Sequence, residues 1–272
     1  MAVTVRGVDT HTHIVRTDTP LVAERHSAPT RETTVPELLG LLDAHGLSHA
    51  VLTAPSFYGT DNSVLLAALA AGGGRLLGTV NVDPAVTADE LARYAECGVV
   101  GLRLNWSSRT SRPDAGSAAY RRLFRAAAAA GLHVELLVEP EWFGAVADPV
   151  LAEGARLVVD HLALLDDIES GAGRRLLAAL DAGSTWVKLS APYRLRDADA
   201  ARRTARAVYD RRPDRVLWGS DWPWVSHERD GFGYADTLGW LDDWVPERRQ
   251  VLVDNPAALL GLVRTSTAKE ER

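Results

Sequence analysis

The sequence predicts an α/β fold, a single (β/α)8 barrel of the TIM type. Three observations predict it. Short β-branched runs alternate with longer amphipathic runs, the pattern of repeated βα units and a parallel sheet. These units number about eight, the count that closes such a barrel. The length, 272 residues, is close to the roughly 250 residues of one barrel. An open doubly wound sheet is the runner-up, but no GxGxxG or GxxxxGK[ST] loop follows a strand, which disfavours its nucleotide-binding versions.

The predicted strands, in order, are Val3–Val8, His49–Thr53, Leu76–Val82, Val99–Leu104, His133–Val138, Arg156–Asp160, Trp186–Ser190 and Arg215–Gly219. Most are nearly continuous apolar runs, as expected of strands covered on both faces. Between them lie helical patterns. VPELLGLLDAHG repeats apolar residues at three and four and stops at Gly46, a C-cap residue. TADELARYAECG opens with Thr87 and Glu90, the spacing of a capping box. AYRRLFRAAAAAG is rich in helix formers and stops at Gly131. Asn255-Pro256 is expected to cap and start the last helix. The barrel domain is expected over 1–263, with RTSTAKEER, 264–272, as a polar tail. The stretch from Ile14 to Thr34 is long for a βα loop, and such insertions help to build an active-site mouth.

Composition narrows the function classes. A formal net charge of −6 argues against nucleic acid, whose phosphates call for a basic surface. No apolar run reaches the ~20 residues needed to span a bilayer, so no membrane partner is expected. Cys97 is the single cysteine and MAVTVRGVDTHTH contains no apolar signal segment, so a reducing cytoplasm is expected. Nothing in the composition speaks against a homo-oligomer. Lysine occurs only at 188 and 269, against 28 arginines.

In this fold the chemistry sits where strands end and βα loops begin. The first strand runs out in Asp9-Thr10-His11-Thr12-His13, and alternation turns His11 and His13 to the same face. The sixth ends in VVDH, which places His161 at the mouth, and the eighth in LWGSDWPW, which places Asp221 there. A lone strand histidine is usually structural; four such groups at the same end of three strands are hard to explain as core. The same four could ligate one Zn²⁺ with water completing the site. Arg103 lies on the fourth strand and Arg109 just after it, in RLNWSSR, and Arg194, in APYRL, follows the seventh. Guanidinium forks grip carboxylates in a bidentate way. Ser56 and Tyr58 after the second strand are weaker substrate-binding candidates. Trp222 and Trp224 would wall the pocket or pack behind it. His133 is placed at the far end of the barrel; His26, His45, His49 and His227 are expected at the surface or in loops, with His26 and His227 able to reach the mouth. Lys188 and Glu135 are expected to pair inside the barrel, and Cys97 to be inert.

HTH on the first strand, a histidine on a later one and an aspartate closing the eighth resemble the amidohydrolase superfamily. The phrases YGTDN, VVDHLA, VKLSAPYRL, VLWGSDWP and VDNP resemble the branch that contains 2-pyrone-4,6-dicarboxylate lactonase and sugar-acid lactonases. The resemblance runs from about Val8 to about Leu262. It implies hydrolysis of a carboxylate-bearing lactone without a metal. His11, His13 and His161 would donate hydrogen bonds to the carbonyl, Asp221 would act as base, and the arginines would hold the substrate's acid groups. Binuclear members of the superfamily carry a carbamylated lysine at the end of strand four. Here that strand ends at Leu104-Asn105, which argues against a lysine-bridged centre. A mononuclear zinc hydrolase or decarboxylase and a sugar-acid lactone isomerase remain the alternatives. Two departures, Tyr58 where the branch has His and Leu137 where it has Tyr, imply a smaller or differently substituted lactone.

Overall fold

The computed structural model describes residues 3–108 and 112–263. The expected polar tail, 264–272, lies outside them, as does Arg109. Eight parallel strands lie in sequential order: β1 Val8–Thr12, β2 His49–Thr53, β3 Leu76–Val80, β4 Val99–Asn105, β5 His133–Leu137, β6 Leu157–Val159, β7 Thr185–Leu189 and β8 Val216–Trp218. The helices between them include α1 Val35–Ala44, α2 Ser63–Ala71, α3 Ala88–Glu96, α4 Ala118–Ala129, α5 Phe143–Ala152, α6 Gly171–Asp181, α7 Ala198–Arg211, α8 Tyr234–Trp244 and α9 Asn255–Leu260. This is the predicted (β/α)8 barrel. Among the described residues no helix is long and apolar enough to cross a membrane.

The helix ends follow the sequence signals. The Thr87 hydroxyl accepts from Glu90 N, and the Glu90 carboxylate accepts from Thr87 N, closing the capping box. Gly46 and Gly131 have φ of +72° and +73°, left-handed values that cost glycine little. Two expectations need correction. The first strand is Val8–Thr12, not Val3–Val8: the β-branched VTVRGV leads in, and the polar DTHTH is the segment that pairs with β2. Asn255 does not cap α9. Its amide Nδ2 instead donates to the carbonyls of Pro213 and Val216, both at 2.7 Å, and ties the helix to the start of β8.

The seam between β8 and β1 is held largely by side chains. Thr10 Oγ1 donates to Trp218 O at 2.8 Å, and Asp9 Oδ1 accepts from Ser220 N at 2.9 Å. Past the strands, Asp221 N donates to His11 O and His13 N to Trp222 O. Gly219 makes this approach feasible, since a Cβ there would lie 2.5 Å from His11 Cβ.

The apolar core lies between sheet and helices. The barrel's interior is charged. Alternation turns Arg103, Glu135 and Lys188 inward. Lys188 Nζ lies 2.5 Å from Glu135 Oε2, the expected pair, and 3.1 Å from Asp160 Oδ1. Arg103 Nη2 reaches Asp160 Oδ2 at 3.3 Å and Arg103 Nε reaches Glu135 Oε1 at 3.4 Å. Two cations thus face two anions, the balance a buried charge cluster requires. His133 is buried below them, its ring against Gly101.

Candidate active site

The polar ends of β1, β6 and β8 meet above this charged layer. Asp221 Oδ1 lies 3.4 Å from His11 Nε2, 3.4 Å from His13 Nε2 and 3.8 Å from His161 Nε2. All four residues are buried. Two of them sit on strained backbone: Asp221 has φ +59° and His161 φ +49°, with Leu162, Ala163 and Leu164 continuing in the same region. Such conformations in non-glycine residues persist where the surroundings enforce them, and they cluster at functional sites.

Each far ring nitrogen is anchored. His13 Nδ1 lies 2.6 Å from the Thr53 carbonyl oxygen, which only accepts, so Nδ1 carries a proton. In neutral His13 the Nε2 lone pair therefore faces Asp221. His11 Nδ1 sits between the Lys188 ammonium at 3.1 Å and Asp160 Oδ1 at 3.2 Å. His161 Nδ1 meets Ser190 Oγ at 2.9 Å. Burial holds the His11 imidazolium well below its usual range, helped by Lys188. Burial lowers His161 to about 4 against the opposing pull of Asp221 and Asp160. Burial pushes Asp221 up, but Arg194 and the imidazoles outweigh it and hold the carboxyl well below the usual range. Neutral His11 and His161 therefore surround an ionised carboxylate at neutral pH.

The other oxygen, Oδ2, accepts from Tyr193 OH at 2.6 Å and from Arg194 Nη2 and Nε at 2.9 and 3.2 Å. Above the cluster opens a cavity of about 180 Å³, lined by His13, His161, Asp221, Arg103 and Arg194 and also by Ser56, Asn105, Leu137 and His26. Arg103 borders it, yet its guanidinium also donates to Ala54 O at 2.8 Å and is bound below by Glu135 and Asp160. Tyr58 does not line the cavity. Its hydroxyl donates to Arg16 O and accepts from Arg16 N, pinning the long first loop. Trp222 and Trp224 are not among the lining residues. His49 is buried, with its Nδ1 2.8 Å from Ser48 Oγ, and is not a surface residue. His227 packs tilted against Tyr193, ring centroids 4.6 Å apart.

Sequence reasoning passed over Asp160 and Tyr193. Asp160 had a signal, a charged residue inside the apolar VVDH run. Tyr193 had only its place beside Arg194.

His11, His13 and Asp221 lie close enough to group around one divalent cation, with His161 Nε2 next at 3.8 Å from Asp221 Oδ1. Ligand atoms about 2.0–2.1 Å from a tetrahedral Zn²⁺ lie roughly 3.3–3.4 Å apart. Three Nε2 atoms surround one carboxylate oxygen at 3.4–3.8 Å. His11 Nε2 is buried with no hydrogen-bond partner, and the His13 Nδ1–H bond to a carbonyl leaves Nε2 free to ligate. His11, Asp160 and His161 also lie close enough to group around an ion, but Lys188 and Arg103 already hold Asp160.

Residues 8–262 match the family model described as Amidohydrolase. Over 94% of this chain and 90% of its own length, a 4-sulfomuconolactone hydrolase of Rhizobium radiobacter is 26% identical. A 2-pyrone-4,6-dicarboxylate hydrolase of Comamonas testosteroni is 27% identical over 93% of this chain and 89% of its own. The crystal structure of a probable 2-pyrone-4,6-dicarboxylic acid hydrolase from Acinetobacter baumannii with citric acid bound superposes with a TM-score of 0.87. It is 27% identical, covering 94% of this chain and 99% of that one.

Proposed function

The chain belongs to the amidohydrolase family and is a hydrolase, and from that premise we propose that it opens a lactone bearing an anionic group, with Asp221 as general base. The observation that carries the proposal is the placing of the Asp221 carboxylate, one oxygen facing three imidazoles and the other an arginine that also lines the cavity. The substrates in the relatives' names, 4-sulfomuconolactone and 2-pyrone-4,6-dicarboxylate, are both lactones with acidic groups.

In this reading Arg194 takes the substrate's anionic group; Arg109, outside the described residues, is the second arginine proposed for that role. Lys188 donates to His11 Nδ1, so Nε2–H of His11 points at the lactone carbonyl; Ser190 accepts from His161 Nδ1 or donates to it, and the second state leaves His161 Nε2–H as a second donor. These bonds strengthen as charge grows on the oxygen. His13 differs: with its proton on Nδ1, its Nε2 accepts from the attacking water rather than donating to the carbonyl. Asp221 Oδ1 takes the water's proton and returns it to the ring oxygen as the ring opens. Arg103 supports the site from below, and Ser56 contributes a hydroxyl to the wall.

A second reading, one divalent ion held by His11, His13, His161 and Asp221, is favoured by the 3.4–3.8 Å spacing. A bound Zn²⁺ supplies Lewis acidity to polarise a carbonyl and lower the pKa of water. The chain's own part is then to present three Nε2 lone pairs, with Asp160 accepting from His11 Nδ1.

Purified enzyme should be given pyrone dicarboxylates, muconolactones and aldonolactones before and after chelation, with ring opening followed by NMR in D₂O. Ring opening that persists after chelation supports the metal-free reading; loss restored by Zn²⁺ supports the second. Migration of the lactone without net hydrolysis would make the protein an isomerase.

A further inference from the structure

Three donors converge on Asp221 Oδ2: the Tyr193 hydroxyl and two nitrogens of Arg194. A carboxylate oxygen offers about two lone-pair directions, so the third donor adds little. The two residues differ in freedom. The Tyr193 ring stacks on Phe232 at 4.8 Å, tilts against His227 at 4.6 Å and meets Trp240 edge-on at 6.2 Å. Its backbone follows Ala191, held at φ +49°. Arg194 instead keeps 28% of its side chain exposed and lines the cavity. The cavity's other described arginine, Arg103, is 5% exposed and balances Glu135 and Asp160. Moving it would leave two buried carboxylates short of a cation.

We propose that Tyr193 is the positioning residue that holds Asp221 through turnover, while Arg194 is an exchangeable latch that leaves Asp221 for the substrate's anionic group. The inference rests on the lactone reading above and names how that site admits its substrate. The exchange swaps one carboxylate partner of the guanidinium for another and leaves Asp221 held by the Tyr193 hydroxyl among the three imidazoles. Tyr193 then keeps Oδ1 aimed at the three Nε2 atoms. Without it, Asp221 would turn about its side-chain bonds once Arg194 departs. Tyr193 therefore acts after binding and Arg194 during it.

Citrate, a carboxylate-rich probe, separates the two roles without any turnover. In a crystal structure of the enzyme with citrate, Arg194 is expected on a citrate carboxylate with Tyr193 still bonded to Asp221. In calorimetry, Arg194→Met weakens citrate binding by about 10- to 100-fold, the worth of a charge-assisted bond, and Tyr193→Phe leaves it unchanged. On a lactone the enzyme hydrolyses, Tyr193→Phe lowers kcat by about 100-fold at unchanged KM, as for a displaced catalytic group. Arg194→Met raises KM, and Arg194→Lys restores part of it. The proposal is overturned if Arg194 stays on Asp221 in the citrate complex, if both variants weaken citrate alike, or if Tyr193→Phe acts through KM. If no lactone is hydrolysed, the functional reading fails, while the citrate measurements still decide the latch.

Discussion

The Nδ1 atom of His13 lies 2.6 Å from the carbonyl oxygen of Thr53, and that one contact fixes which nitrogen of the ring carries the proton. The other nitrogen, Nε2, is turned to Asp221 Oδ1 at 3.4 Å; whenever it carries no proton, two lone pairs meet there and call for a water proton or a cation between them.

His13→Gln tests this. Its amide can still donate toward Thr53 but cannot place an sp² nitrogen lone pair at the Nε2 position. kcat/KM should fall by about 10²- to 10⁴-fold, the usual worth of a proton-handling group. The far-UV circular dichroism spectrum and melting temperature should stay close to wild type. A variant with near-normal kcat/KM would remove His13 from the chemistry.

Asp221→Asn keeps the shape of the side chain and removes the base. Turnover should drop by at least about 10²- to 10⁴-fold with the fold retained. The pH profile carries a second expectation. Arg194 and the imidazoles, outweighing burial, hold Asp221 well below the usual carboxylate range, so it stays ionised through mild acid. His161 is lowered to about 4 and remains neutral above that. Both groups keep their active forms as pH falls until about 4. In the metal-free reading Asp221 and His161 should therefore impose no acid limb on kcat/KM of the wild type above about pH 5. A limb near pH 6.5 would show that an unperturbed imidazole governs the rate.

Much of this arrangement was legible in the chain. The second strand was predicted as His49–Thr53 and found there; the four site residues were predicted to meet at one mouth and do. The first strand was misplaced because VTVRGV looks more like a strand than DTHTH does. DTHTH is polar because His11 meets the charged interior while Asp9 and Thr10 bond across the seam to β8, against the apolar rule for barrel cores. Arg103 lies near the end of a strand, as a substrate arginine would, but its partners, Glu135 on β5 and Asp160 just after β6, are 32 and 57 positions on. Tyr193 and Asp221 are 28 positions apart. No local periodicity encodes a pairing of that span; the barrel's closure creates it.

Lys188 offers a test of the charged layer. Its ammonium bonds Glu135 and Asp160, so Lys188→Met leaves two buried carboxylates facing Arg103 alone. Breaking one side of a buried cluster costs about 3–5 kcal/mol. Glu135 already titrates high because burial and Asp160 disfavour its charge, and losing Lys188 pushes it further toward the neutral acid. Adding Glu135→Gln to Lys188→Met removes the orphaned charge, so in urea denaturation the double variant should be more stable than Lys188→Met alone. Losses that simply add would show that the two residues act independently.

Gly219 joins fold to site. A Cβ at 219 would lie 2.5 Å from His11 Cβ, 3.0 Å from His11 N and 3.3 Å from His11 Cα. None of these atoms is the far end of a flexible side chain, so β8 and β1 must move apart to accept it. Overpacking of this kind costs about 1–3 kcal/mol. The displacement also carries His11 Nε2 away from Asp221, so Gly219→Ala should lower both the melting temperature and kcat. Gly40, inside α1, is the matching control. A Cβ there meets nothing within 4 Å, and helix interiors favour alanine over glycine by roughly 0.5–1 kcal/mol. Gly40→Ala should therefore melt slightly higher than wild type with kcat unchanged. If Gly219→Ala behaved like Gly40→Ala, the seam between β8 and β1 would not be what holds His11 in place.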